Sequence, residues 1–177
     1  MKYSDIYRLY STSQPKDAIH QALREVPVDD SDEQYEDRSP LHLACQYGDT
    51  EGVKILLERD AEPNTKDANG STPIHILGRT SAGCADEDKL KEIAVMLIEQ
   101  GANIPRSAKN TTALIECIRN RHFKMAEAII DSGARVNSTD LNGENVLFGF
   151  CAASGDIRRD IRFAKKELDE SVQYLSL

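Results

Sequence analysis

The sequence predicts an all-α chain, a short solenoid of stacked helix-turn-helix units joined by hairpin-like loops. Three observations carry this expectation. The stretch Arg38-Ser39-Pro40-Leu41-His42-Leu43-Ala44, moved 33 places, lands on Ser71-Thr72-Pro73-Ile74-His75-Ile76-Leu77. Each copy leads into a helical run closed by an apolar doublet, Leu56-Leu57 and then Leu97-Ile98, and a third copy from Thr112 closes at Ile129-Ile130. The step from doublet to next repeat start is 17 residues (Leu23 to Pro40), 17 (Leu56 to Pro73), 16 (Leu97 to Ala113) and 17 (Ile129 to Val146).

The elements follow in order. Residues 3–27 keep the spacing without the motif: Ile6, Leu9 and Tyr10 form one apolar stripe, Ala18, Ala22 and Leu23 another, and Pro15 opens the second helix. That is the pattern of a capping repeat with a polar outer face. Six acids then crowd residues 28–37, as either a ligand-facing acidic loop or a solvated one. Repeat one spans 34–66, and Ser39-Pro40 sets a hydroxyl cap before a proline that a first helical turn tolerates. Repeat two spans 67–106, opening on the turn Asp67-Ala68-Asn69-Gly70 and the cap Thr72-Pro73. Pro73 to Leu97 is 24 residues where Pro40 to Leu56 is 16, so eight extra residues are expected between its helices, near 81–88. They form an inert bulge or a second contact site. Repeat three spans 107–139. Gly101 and Gly133 follow the second helices, where the chain stops by turning left-handed. The last unit, 140–177, opens on Asp140-Leu141-Asn142-Gly143 but departs from the pattern after Ser154. There Ile157, Ile161, Ala164, Leu168, Val172 and Leu175 recur every three or four residues, as in one amphipathic helix. It either caps the array or pairs with another copy or a partner.

Composition narrows the function. The 177 residues are 40% hydrophobic and 29% charged, enough to bury a core and stay in solution. With 22 basic and 30 acidic residues the net charge is -8, which disfavours nucleic acid and anionic membrane as partners. No run approaches the ~20 apolar residues of a membrane span, and Met1-Lys2-Tyr3-Ser4-Asp5 leads into no apolar stretch of a secretory signal. A cytoplasmic location is the expectation from these missing signals, with delivery into a host cell left open. Cys45, Cys84, Cys117 and Cys151 lie more than thirty residues apart, so free buried thiols are expected rather than a zinc site, with Cys84 the exposed exception.

The S/T-P-L-H core, the Gly-Ala-x-x-Asn exits (Gly101-Ala102-Asn103; Gly133-Ala134-Arg135-Val136-Asn137) and the Asp-x-Asn-Gly turns resemble the ankyrin repeat family, over nearly the whole chain. The resemblance implies that His42 and His75 are structural, hydrogen-bonding loop backbone. It also implies a protein-binding concave side made of fingertips and first-helix faces. Carried onto this chain, that surface comprises Tyr35, Arg38, Asn69, Ser71, Lys109, Thr111, Leu141 and Glu144 at fingertips, and Gln46, Tyr47, Arg79, Thr80, Arg119 and Asn120 on first helices. The cations Arg38, Arg79, Lys109 and Arg119 suggest a groove for a protein segment bearing carboxylates, with Tyr47, Arg79 and Arg119 central.

No G-x-x-x-x-G-K, G-x-S-x-G or HExxH motif occurs, and no cofactor or metal is expected. The leading expectation is a non-catalytic binding module that sequesters or inhibits a protein, as a monomer. A scaffold self-associating through the 156–177 helix is the alternative, and an enzyme built on the insertion and Cys84 a remote one.

Overall fold

In the computed structural model, residues 1–80, 86–103 and 112–134 are described. They form eight α-helices in four pairs: α1 (Tyr3–Ser11) with α2 (Lys16–Glu25), α3 (Pro40–Gln46) with α4 (Thr50–Leu57), α5 (Pro73–Gly78) with α6 (Glu87–Glu99), and α7 (Ala113–Arg119) with α8 (Phe123–Asp131). First helices stack in the order α1, α3, α5, α7 and second helices in the order α2, α4, α6, α8, giving two layers. No pair can bury its apolar stripe alone, so the core is a continuous seam between layers. Ile6, Leu23, Leu41, Leu56, Leu77, Leu97, Leu114 and Ile129 follow one another through it. Cys45 and Cys117 are free thiols within that seam, and burial pushes both well above the usual thiol range, so neither is a nucleophile.

The caps follow the local chemistry. Pro40 and Pro73 stand at the first helical positions, after Ser39 and Thr72 in extended backbone. Pro15 sits one residue outside α2, whose first residue is Lys16. Second helices end through a left-handed residue at Gly101 (φ 84°) and Gly133 (φ 91°), while Asp60 (φ 62°) does the same job after α4. Exits of neighbouring repeats are tied together: Asn64 donates to the Gly101 carbonyl at 3.0 Å and accepts from Asn103 N–H at 2.7 Å. Arg59, beyond α4, closes the end of α2 by donating to the carbonyls of Leu23 and Val26.

Two expectations change. The eight extra residues of the second repeat do not all lie between its helices. Pro73 to Glu87 is fourteen positions where Pro40 to Thr50 and Ala113 to Phe123 are ten, so four of the extra residues come before α6 begins. The other four extend α6, which is 13 residues long against 8 for α4 and 9 for α8. Leu90 is buried in that added turn because helical phase returns it to the Ile93, Ala94, Leu97 stripe. Residues 81–85, with Cys84, lie outside the described residues.

The acidic stretch is neither a purely ligand-facing loop nor an idle one. Asp30 accepts from Tyr3 N–H at the start of α1, at 2.6 Å. Asp32 caps the short 3-10 turn Glu33–Tyr35. Glu36 and Asp37 take left-handed backbone, and the Glu36 carbonyl accepts from Ala68 N–H of the next fingertip at 2.8 Å.

Candidate protein-binding surface

The fingertip of the second repeat is organised by Asp67. Its Oδ1 accepts from Asn69 N–H at 2.9 Å and from Ser71 N–H at 2.8 Å, and its N–H donates to the Ser71 carbonyl. This Asx-type turn is why Asp, Asn and Gly recur there, with Gly70 supplying φ 67°. The Ser71 carbonyl also faces the preceding repeat, where His42 Nε2–H donates to it at 3.0 Å. His42 Nδ1 accepts from Ser39 N–H at 3.1 Å, which fixes the tautomer. Burial, the largest cause, depresses the His42 pKa to about 4 despite the Ser71 carbonyl, so the ring is neutral near pH 7. His75 repeats the contact to Thr72, with Nδ1 2.8 Å from Oγ1.

The side chains singled out from the sequence distribute unevenly over this scaffold. Arg38 donates to Gln46 Oε1 at 2.8 Å, pairs with Glu36 and stands 3.6 Å from Asp67 Oδ2. Arg79 spans to the next repeat, with Nε 3.2 Å from Glu116 Oε1, and donates to Ser71 Oγ at 3.1 Å. Asn120 donates to the carbonyls of Gly78 at 3.0 Å and Glu116 at 2.9 Å. Gln46, Asn69, Arg119 and Asn120 are half-buried and Tyr47 is 38% exposed.

Ser71 and Thr80 require correction, being 0% and 6% exposed. Ser71 is spent on Arg79 and the Asp67 turn, and the Thr80 carbonyl accepts from His122 Nε2 at 2.6 Å. Lys109, Thr111, Leu141 and Glu144 lie outside the described residues, as does the 156–177 helix.

Sequence reasoning named Tyr10, Tyr35 and Tyr47 but missed that Tyr3 and Tyr7 join them in one row. Tyr3, Tyr7 and Tyr10 sit at i, i+4 and i+7 and so share one face of α1, a spacing legible in the sequence. Tyr35 packs on Tyr7 at 4.3 Å and on Tyr3 at 5.7 Å, and Tyr47 stacks on Tyr10 at 4.8 Å with planes 12° apart. Tyr7 and Tyr47 are close enough that Tyr7 adds to the rise in the Tyr47 pKa, behind partial burial. Behind this row Tyr10 donates to Asp49 Oδ2 at 2.8 Å, and His20 Nε2 lies 3.0 Å from both Asp49 oxygens. Burial and the Asp49 charge hold the Tyr10 hydroxyl far above its ordinary pKa, so it stays protonated and donates to Asp49.

Among the described residues no three His, Cys, Asp or Glu side chains could hold a metal ion, and no helix is long and apolar enough to cross a membrane.

Two layers of stacked helical pairs, with fingertips tied by one histidine to the next turn, define a repeat solenoid. Residues 22–77 match the family model described as "Ankyrin repeats (many copies)". The chain is 31% identical over 134 residues to Neurogenic locus notch homolog protein 1 of Mus musculus, a match covering 75% of this chain and 5% of that protein. Over 69 residues it is 38% identical to the Transient receptor potential cation channel subfamily A member 1 homolog of Caenorhabditis elegans, covering 39% of this chain and 6% of that one. Ankyrin repeat protein nuc-2 of Neurospora crassa is 29% identical over 124 residues, 69% of this chain and 10% of its own length. The chain thus spans about a tenth or less of these relatives, and the match is to their repeat regions. It belongs to the ankyrin repeat family, and its repeats make it a protein-protein interaction module.

Proposed function

We propose that this chain acts without catalysis, holding a segment of another protein against the ends of its first helices and thereby sequestering or inhibiting it. One observation carries the reading. Gln46-Tyr47, Arg79 and Arg119-Asn120 stand at the same place in three successive repeats, at the ends of α3, α5 and α7, and each remains at least partly accessible. A row of polar and aromatic groups at repeat spacing, on a rigid stack, is what an extended segment can read one repeat at a time.

Carboxylates on such a segment would find two of the expected groove cations already paired. Arg38 already faces Glu36 and Asp67, and Arg79 already faces Glu116. Charge reversal at Arg79 would set a second carboxylate against Glu116, so that variant reports on folding before it reports on docking.

The test places a photo-crosslinking residue at Tyr47 or, on the other layer, at exposed Glu58 beyond α4. Proteins of the source cell captured from position 47 and not from 58 would support docking on the first-helix layer. Capture from 58 alone would move the site to the second helices and overturn the reading.

A further inference from the structure

We propose that the amino-terminal end of this surface takes a basic peptide segment, one bearing Arg or Lys, on the tyrosine row. The inference rests on the first-helix docking reading and adds the chemistry of the partner. Two features of the structure meet there. Tyr35 lies against Tyr7 at 4.3 Å and Tyr47 against Tyr10 at 4.8 Å, and Tyr7, Tyr35 and Tyr47 all keep part of their rings accessible. Aromatic faces carry negative quadrupole density and attract guanidinium and ammonium groups. The same edge carries exposed carboxylates at Glu33 and Glu36, set by the short turn that holds Tyr35. Glu33 has no ion-pair partner among the described residues.

Arg38, the cation that reaches the Tyr35 turn, is spent. Arg38 donates to Gln46 and pairs with Glu36 and Asp67, leaving the edge with net negative charge. An acidic segment would meet repulsion here, whereas a basic one gains the unpaired Glu33 carboxylate, the excess charge around Arg38 and the ring faces. The edge is also held in place before binding. Asp32 caps the turn, Asp30 ties it to α1, and the Glu36 carbonyl is bonded to Ala68 of the next repeat. Little ordering remains to oppose association.

The experiment titrates the full chain into a fluorescent oligo-arginine peptide, with oligo-glutamate and Gly-Ser peptides of equal length beside it, at physiological salt. Four proteins are compared, each checked for an unchanged melting transition: wild type, Tyr47→Ala, Glu33→Gln/Glu36→Gln and, on α4 and just beyond it, Glu51→Gln/Glu58→Gln. The last pair removes the same charge from exposed sites on the other layer. The proposal expects the arginine peptide alone to bind. It expects a weakening of about threefold in Tyr47→Ala, which changes no charge, and about fivefold in Glu33→Gln/Glu36→Gln. Glu51→Gln/Glu58→Gln should leave affinity within twofold.

Equal loss from the two carboxylate pairs, or none in Tyr47→Ala, would reduce the effect to net charge and overturn the proposal. Binding of the glutamate peptide that is sensitive to Tyr47 would overturn the basic partner while leaving the docking surface standing. Arginine-peptide binding lost only in Glu51→Gln/Glu58→Gln would remove the surface as well. Absence of binding by any peptide would also overturn the proposal.

Discussion

The residue just before the second helix of a pair is Asp49 in the second pair and His122 in the fourth, and both are buried. They solve the same problem with opposite chemistry. Asp49 accepts from Tyr10 of α1 and contacts His20 of α2, whereas His122 donates to the Thr80 carbonyl just beyond α5. Each partner comes from the preceding pair, so each contact joins neighbours across the stack. What the stack requires at this position is a buried polar group with a complement next door, and the sign of the group is free. The two versions differ in reach: the carboxylate binds two helices into one knot, and the imidazole engages one carbonyl. In the third pair the position is Asp86, which is exposed and caps its own helix by accepting from Asp88 N–H at 3.0 Å.

That difference predicts unequal damage. Asp49→Ala orphans the buried Tyr10 hydroxyl and strips His20 of its carboxylate, and should cost about 4 kcal/mol in urea unfolding. Gly52 adds to the constraint, since a Cβ there would stand 2.6 Å from Asp49 Oδ2 and 2.9 Å from the Tyr10 hydroxyl. The second effect belongs to pH. The His42 pKa is depressed from 6.5 to about 4 on folding. The unfolded chain therefore binds the extra proton between those values, so this contribution is complete above pH 6.5 and is lost as pH falls toward 4. At about 1.4 kcal/mol per pH unit that is about 3 kcal/mol. Urea midpoints from pH 7 to 4 should fall more steeply in wild type than in His42→Gln; parallel slopes would mean the ring is not buried neutral.

Smaller effects sharpen the comparison. His122→Ala leaves only the Thr80 carbonyl unpaired and should cost about 2 kcal/mol, half the loss at Asp49. A larger loss than at Asp49 would reverse the ranking of the two knots. Tyr3→Phe should move the unfolding midpoint least, within about 0.5 kcal/mol, because the Tyr3 hydroxyl is buried without a hydrogen-bond partner among the described residues. A marked destabilisation would show that this hydroxyl does engage its tyrosine neighbours.

Helix pairs, caps and the apolar seam were legible because each is written locally. Proline after a hydroxyl residue, an apolar doublet and a glycine stop all act within a few residues, whereas the left-handed stop at Asp60 was not read. Contacts between repeats were less so. Arg79 reads as a groove cation until stacking sets it 3.2 Å from Glu116, 37 residues away, and Ser71 reads as an exposed fingertip until Arg79 and His42 close over it. The Tyr3-Tyr7-Tyr10 spacing was on the page, but its meaning depends on Tyr35 and Tyr47 arriving from the next repeat.

The added turn of α6 bears on how such chains change length. Four residues advance a helix by about 400°, so the phase of its face slips only about 40°, and the end moves out by about 6 Å. Leu90 can then join the stripe of Ile93 and Leu97, while Asp88 meets Lys124 at 2.6 Å and Lys91 meets Glu127 at 3.0 Å on α8. An addition of two residues would swing that face about 200° and turn leucine to water. Growth inside an array of this kind is therefore quantised, in steps of a whole helical turn, while the linker beside it absorbs whatever remainder is left.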